Sequence, residues 1–89
     1  MKVTFKKSFA KDLKKKADNK NLLSRVDQIL GQVDTAQDIS EIPNLKKLKS
    51  DGDYYRIRIG DYRLGLIIEN GTVIFVRLLH RSEIYRYFP

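Results

Sequence analysis

The chain has no cysteine or tryptophan, a single histidine, two prolines and five glycines in 89 residues. Without cysteine there can be no disulfide and no thiolate metal site, and a lone histidine is a poor basis for a histidine-built one. No metal site is expected. Proline and glycine are too sparse for a linker, and no repeat or low-complexity stretch appears. No apolar run approaches the roughly 18 residues that span a bilayer. The opening MKVTFKKSF alternates charge with apolar groups where a secretory signal would carry a hydrophobic core. These absences predict a soluble, cytoplasmic protein with no membrane association.

Hydrophobic residues make up 42% and charged residues 33%, a globular balance, and the length suits one domain over residues 1–89. Eighteen Lys and Arg against eleven Asp and Glu leave a net charge of +7. So large an excess on a small domain favours a polyanionic partner, nucleic acid first; the plainer alternative is a basic surface that only confers solubility. The charges are also segregated. Residues 1–20 hold eight Lys against Asp12 and Asp18, whereas residues 54–89 hold six Arg, no Lys and three carboxylates. Lysine is a hydrated point charge suited to loose phosphate attraction, and the guanidinium fork grips one phosphate at two places. The pattern predicts a diffuse basic surface and, separately, an arginine-lined site.

Val3 and Phe5 alternate with polar neighbours, which predicts a short strand. Ser8 is a candidate helix N-cap, followed by Phe9, Leu13 and Ala17 on one face with Lys11, Lys14 and Lys15 pointing away. Asp18-Asn19 breaks this helix. A second helix is predicted from Asn21 to Val33 on the spacing of Leu22, Leu23, Val26, Ile29, Leu30 and Val33. Neither helix shows an ionisable residue trapped on its apolar face. Residues 34–52 read as irregular. Three strands follow, Tyr54–Ile59, Tyr62–Ile68 and Thr72–Leu79, joined by Gly60-Asp61 and by Asn70-Gly71, the strongest short hairpin signal. Ser82–Phe88 closes the chain as a short helix or an extended tail. The predicted fold class is α+β, in the order β-α-α-β-β-β plus a short C-terminal element, with an antiparallel sheet of about four strands packed on one face by the helical hairpin.

Strand parity puts Arg56 and Arg58 on one face, and the tight Gly60-Asp61 turn pairs Arg58 with Arg63. Like charges directly opposed are destabilising, so three converging arginines suggest a bound anion, against the plainer reading of a solvated face. The terminal segment adds His80, Arg81, Tyr85 and Arg86. Histidine is the side chain that most readily moves protons near neutral pH, although at a strand end it is as often an ordinary polar residue. Tyr85 either fills the core or stacks on an unpaired base.

YYRIRIGDYRLGL, followed by a strand and then HRSEIY, resembles the RelE/ParE superfamily of toxins from bacterial and archaeal toxin–antitoxin systems. Leu48–Tyr85 carries the resemblance most specifically. The RxR strand, the YR pair and the HRxxxY segment make the chain more similar to RelE-type messenger RNA interferases than to ParE-type gyrase inhibitors. The resemblance implies a RelE-like microbial RNase fold and a ribosome-dependent endoribonuclease. Messenger RNA would be cut in the A site by attack of the ribose 2′-hydroxyl on the adjacent phosphate, without metal or cofactor. It implies that Arg56 and Arg58 stand where the family places basic strand residues, often lysines. Arg63 would stabilise the phosphate of the transition state and Tyr85 would orient the substrate. Arg81, and with it His80, would assist the leaving group or the developing charge. Arg58, Arg86 and the helix lysines Lys11, Lys14 and Lys15 are the expected RNA contacts, the lysines toward 16S ribosomal RNA. A cognate antitoxin is the implied protein partner, wrapping the toxin with an acidic amphipathic segment near an exposed Tyr87-Phe88. The alternative within the superfamily is a ParE-like inhibitor of DNA gyrase acting by protein contact alone.

Overall fold

A computed structural model describes all 89 residues. Strand β1 (Lys2–Phe5) leads into helices α1 (Lys7–Lys15) and α2 (Lys20–Thr35). A single 3-10 turn at Ile39–Glu41 and the short strand β2 (Leu45–Lys47) follow. Strands β3 (Tyr54–Ile59), β4 (Tyr62–Glu69) and β5 (Thr72–His80) then form a meander, and one helical turn, α3 (Ile84–Tyr87), ends the chain. Asn70 and Gly71 take positive φ in the β4–β5 turn, and Gly60 does so in the β3–β4 turn, as hairpins this tight require.

The sheet differs from the expectation of about four antiparallel strands. It has five, in the order β1-β5-β4-β3-β2, and is mixed, because β1 runs parallel to β5 with Lys2 opposite Thr72 and Phe5 opposite Phe75. The connection between this parallel pair runs through both helices and the other three strands. The extra strand, β2, pairs with β3 inside the segment read as irregular; three residues are too few to show periodicity.

One sheet face carries the core. Phe9, Leu22, Val26 and Val33 from the helices pack on Ile57, Leu64, Leu66, Phe75 and Leu78. Helix α2 starts one residue before the expected Asn21 and is capped by Asn19, whose side chain accepts from the Leu22 N–H at 3.1 Å. The far end of α2 has no basic residue in its last turn. The Met1 ammonium takes that place, donating to the Asp34 carbonyl at 3.0 Å and to that of Ala36 at 2.6 Å.

Helix α1 departs from expectation in three ways. Its N-cap is Lys6, and Ser8 lies inside the helix with its hydroxyl donating to the Val76 carbonyl at 2.6 Å. Ala17 falls in the exposed turn beyond the helix. More consequentially, α1 does bury an ionisable residue. Asp12 is 3% exposed; it accepts the Leu78 N–H at 2.9 Å and two guanidinium bonds from Arg77 at 2.8 and 3.2 Å. The cause is the length of β1. It covers β5 only as far as Phe75, where the Lys6 N–H makes a final bond to the Phe75 carbonyl. Beyond that point the edge of β5 would be bare. Ser8 and Asp12, four apart and so on one side of α1, take over its backbone partners. The hydrogen bond from Arg77 to Asp12 raises the guanidinium's pKa above its ordinary value, against the opposing effect of burial.

The second face is covered only in part. Ile84 and Phe88 form a small cluster there with Leu79, against which Leu48, Tyr54 and Val76 pack. Phe88 is thus buried, contrary to the expectation of an exposed tail end, while Tyr87 is exposed. A Cβ on Gly65 would lie 2.8 Å from the Phe88 ring, so the ring rests on bare β4 backbone.

Two outcomes follow from this packing. Asp12→Ala strands the Arg77 guanidinium and the Leu78 N–H, and should cost about 3 kcal/mol in urea unfolding. Gly65→Ala should displace Phe88 and speed hydrogen exchange across residues 84–88, leaving exchange in α2 unchanged.

Candidate nucleic-acid interface

The uncovered part of that second face is formed by β3 and β4. Arg58 stands directly opposite Arg63, and Arg56 lies opposite both Gly65 on β4 and Lys46 on β2. Cross-strand partners share a face, so all four cations project to the side away from the helices. The predicted convergence of Arg56, Arg58 and Arg63 is present, with Lys46 beside it. Lys46 lies in the segment expected to be irregular, and only its pairing with β3 reveals the lysine's position.

None of the three arginines has a carboxylate partner. The ion pairs of the chain are Lys47–Asp53, Arg77–Asp12 and Arg81–Asp61. Arg63 is instead fastened by carbonyls, its Nη1 donating to Gly60 and Tyr62 at 2.8 Å each. Those bonds fold the guanidinium toward the turn and leave its other nitrogens unclaimed. Burial lowers its pKa below the ordinary arginine value, and the Arg56 and Arg58 charges push the same way, with Arg81 adding less; Tyr85 acts in opposition. Arg56 donates from Nη1 to the Asn44 carbonyl at 3.3 Å, and its buried Nε has no partner. Asn44 presents that carbonyl from a left-handed backbone, φ 60.

The C-terminal segment completes the face. Tyr85 is 66% exposed, an unusual position for so large an aromatic side chain, and lines a hollow with Lys46. Arg81 follows the end of β5, exposed, its N–H bonded to the Asp61 carbonyl at 2.8 Å and its Nε 3.9 Å from the Asp61 carboxylate. Arg86 is exposed on α3, one residue from Tyr85.

His80 is not brought to this face. It pairs with Tyr62, whose side shares parity with the core residue Leu64, and the two rings meet edge to face at 5.5 Å. Lys16 from beyond α1 lies over the same tyrosine ring. The histidine Nδ1 is engaged by Ser82, receiving its N–H at 3.2 Å and lying 2.8 Å from its hydroxyl. Lys11, Lys14 and Lys15 are exposed on α1 at the β5 edge, where Lys15 lines a hollow with Arg77, Leu79, Glu83 and Tyr87. No group of three or more His, Asp or Glu side chains comes together as metal ligands, and no helix is long and apolar enough to cross a membrane.

Comparison with known proteins gives a consistent picture. A family model described as the ParE toxin of type II toxin–antitoxin system, parDE, matches residues 3–85. Toxin RelE3 of Methanocaldococcus jannaschii is 40% identical over 90 residues, covering all of both chains. The fold is similar to a chain of the RelB–RelE antitoxin–toxin complex from Methanococcus jannaschii, with TM-score 0.81 and 38% identity over 98% of this chain and 100% of that one. It is also similar to a chain of the toxin–antitoxin complex RelBE2 from Mycobacterium tuberculosis, with TM-score 0.67 and 25% identity over 90% and 96% of the two chains.

The unpaired arginines should be a stability burden. Arg58→Gln is expected to raise unfolding stability by about 0.5 kcal/mol at low salt, as removal of an opposed like charge should. Thermal unfolding in rising salt checks the cause, because the gain must shrink as screening replaces it.

Proposed function

The chain belongs to the RelE/ParE superfamily, as a toxin of the RelE family from type II toxin–antitoxin systems, and from that premise we propose that it is a ribosome-dependent messenger RNA endoribonuclease. The observation that carries this reading is the Arg58–Arg63 cross-strand pair, with Arg56 beside it, held on an open face without any carboxylate. Such a face costs stability in the free protein and repays it only when an anion binds.

In the proposed reaction the ribose 2′-hydroxyl loses its proton and its oxygen attacks the adjacent phosphorus. The bond to the 5′-oxygen breaks, that oxygen takes up a proton, and a 2′,3′-cyclic phosphate remains. Charge builds on the non-bridging oxygens at the pentacovalent stage. Arg63, fixed by the Gly60 and Tyr62 carbonyls, presents unclaimed N–H groups there, and Arg56 adds its charge from the neighbouring strand position. Arginine does not surrender its proton near neutrality, so these residues act by charge and not as the base. Tyr85 orients the reacting nucleotide, Arg81 stabilises charge at the leaving oxygen, and Arg58 and Arg86 hold flanking phosphates. His80, on the opposite side of the sheet, has a local role with Ser82 and Tyr62. Lys11, Lys14 and Lys15 give the salt-sensitive contact with 16S ribosomal RNA.

The cytoplasm is where such a toxin would meet its target and its cognate antitoxin. The relatives in complex with RelB support that partner, whose acidic amphipathic segment suits the arginine face. The ParE description of the matching family model favours a second reading, inhibition of DNA gyrase by contact alone.

Primer extension on a message in a reconstituted translation system separates the two. New 5′ ends at codon-spaced positions, present only with ribosomes, are expected; intact message together with inhibited gyrase supercoiling would replace the first reading by the second. Arg63→Ala should slow cleavage about 10²-fold or more. His80→Gln should stay within about threefold of the unaltered protein, because nothing of it faces the arginines.

A further inference from the structure

Asp61 stands at the tip of the β3–β4 hairpin, beyond the row of Arg56, Arg58 and Arg63, and has no part in the chemistry described so far. We propose that Asp61 is a positioning residue, which holds the Arg81 guanidinium at a set place relative to Arg63 so that both cations serve one phosphate group. The assignment rests on the endoribonuclease reading and adds how the cation at the leaving oxygen is aimed.

The β3–β4 turn offers three consecutive carbonyls, and arginines take all three. Those of Gly60 and Tyr62 accept from Arg63 Nη1 at 2.8 Å each, and that of Asp61, between them, accepts the Arg81 N–H at 2.8 Å. Arg63 belongs to β4 and Arg81 follows β5, so cations from separate parts of the chain are referred to one short frame. The frame is stiff. Gly60 is left-handed at φ 55, with the Arg25 side chain of α2 so close that a Cβ would lie 2.9 Å from its Nη1. The Tyr62 ring packs against the main core.

The backbone bond fixes where Arg81 begins, but it does not aim the far end of a long side chain. An exposed arginine samples many rotamers, and a cation helps a developing oxyanion only over a narrow range of position. The Asp61 carboxylate supplies the aim, 3.9 Å from Arg81 Nε. At that distance the two form an ion pair without a hydrogen bond, so the guanidinium is drawn toward the turn while its N–H groups stay free for a substrate oxygen. Arg56, Arg58 and Arg63 are placed by their strands and have no such partner; Arg81, arriving from beyond β5, does. The two side chains are 64% and 70% exposed, and a pair so wet adds little to stability. Its loss should therefore spare folding and show only where orientation counts.

The test uses the full chain with programmed ribosomes as substrate. Asp61→Asn keeps the turn, its carbonyl and the size of the side chain while removing the charge. It should lower kcat about fivefold and leave KM within about twofold, as a loss of orientation alone predicts. Asp61→Glu should recover most of the rate. In an Arg81→Ala background Asp61→Asn should change nothing further, because the two residues act as one unit. The urea midpoint should not move in either background. In the free protein, NMR relaxation of side-chain nitrogens should show the Arg81 Nε–H more ordered than that of Arg58, which has no ion pair. Asp61→Asn should bring the two together.

A loss of rate that persists in the Arg81→Ala background, a lowered urea midpoint that accounts for it, or a gain in kcat overturns the assignment. So does an Arg81 side chain as mobile as that of Arg58 in the unaltered protein. The two ideas fail separately: message cut at the ordinary rate by the Asp61→Asn protein removes the positioning role alone. An Arg81 that loosens on substitution, in a protein that cuts no message, removes the endoribonuclease reading alone.

Discussion

The Asp12 carboxylate at the bare edge of β5 is the interaction on which the remaining architecture depends. A four-residue β1 cannot cover a nine-residue β5, so the sheet would end in unpaired backbone. Asp12 closes that gap by accepting both the Leu78 N–H and the Arg77 guanidinium, and Ser8 satisfies the Val76 carbonyl one turn earlier. A buried carboxylate is tolerable because each bond it makes is to a group that would otherwise be stranded with it. The consequence is positional: β5 stays paired through His80 despite a register shift opposite Gly65 and Leu66, its Leu79 meets the second face, and the segment after it lays Phe88 over Gly65.

The second face is then a compromise between closing a core and leaving charge exposed. Gly65 sits at the division. Toward the C-terminal tail its missing side chain makes room for Phe88; toward β3 it is the neighbour of Arg56. Had β4 carried a larger residue there, either the tail would lie farther out or Arg56 would be pressed away from Arg63. Arg56 and Arg63 are held by carbonyls in or beside turns, those of Asn44, Gly60 and Tyr62, and not by carboxylates. Carbonyls orient a guanidinium without cancelling its charge, which is what a surface meant for an anion needs.

Much of this was legible in the sequence because it rests on local rules. The β3 bounds follow from alternation, and both hairpins from Gly-Asp and Asn-Gly; once those turns are placed, the Arg58–Arg63 pairing is arithmetic. What escaped was non-local. Nothing in KVTF says that it lies parallel to a strand formed by residues 72–75, and LKK is too short to declare itself a strand. Asp12 was legible in principle, standing three residues after Phe9 and so on the buried side of α1, but one carboxylate among many lysines reads as solvated until its partner on β5 is known. His80 escaped for a related reason: its membership of the terminal motif drew it toward the arginines, and only the register with Tyr62 puts it on the opposite side.

The parallel pairing of β1 with β5 joins the first residues of the chain to some of the last. During synthesis the N-terminal strand emerges early and stays without its sheet partner until Thr72–Phe75 has also left the ribosome, and Asp12 waits longer still for Arg77 and Leu78. Such far-separated contacts delay completion of the sheet until residues 72–78 are available. The β3–β4 hairpin, whose contacts are local, can form first, so its arginines come together before the core behind them is sealed.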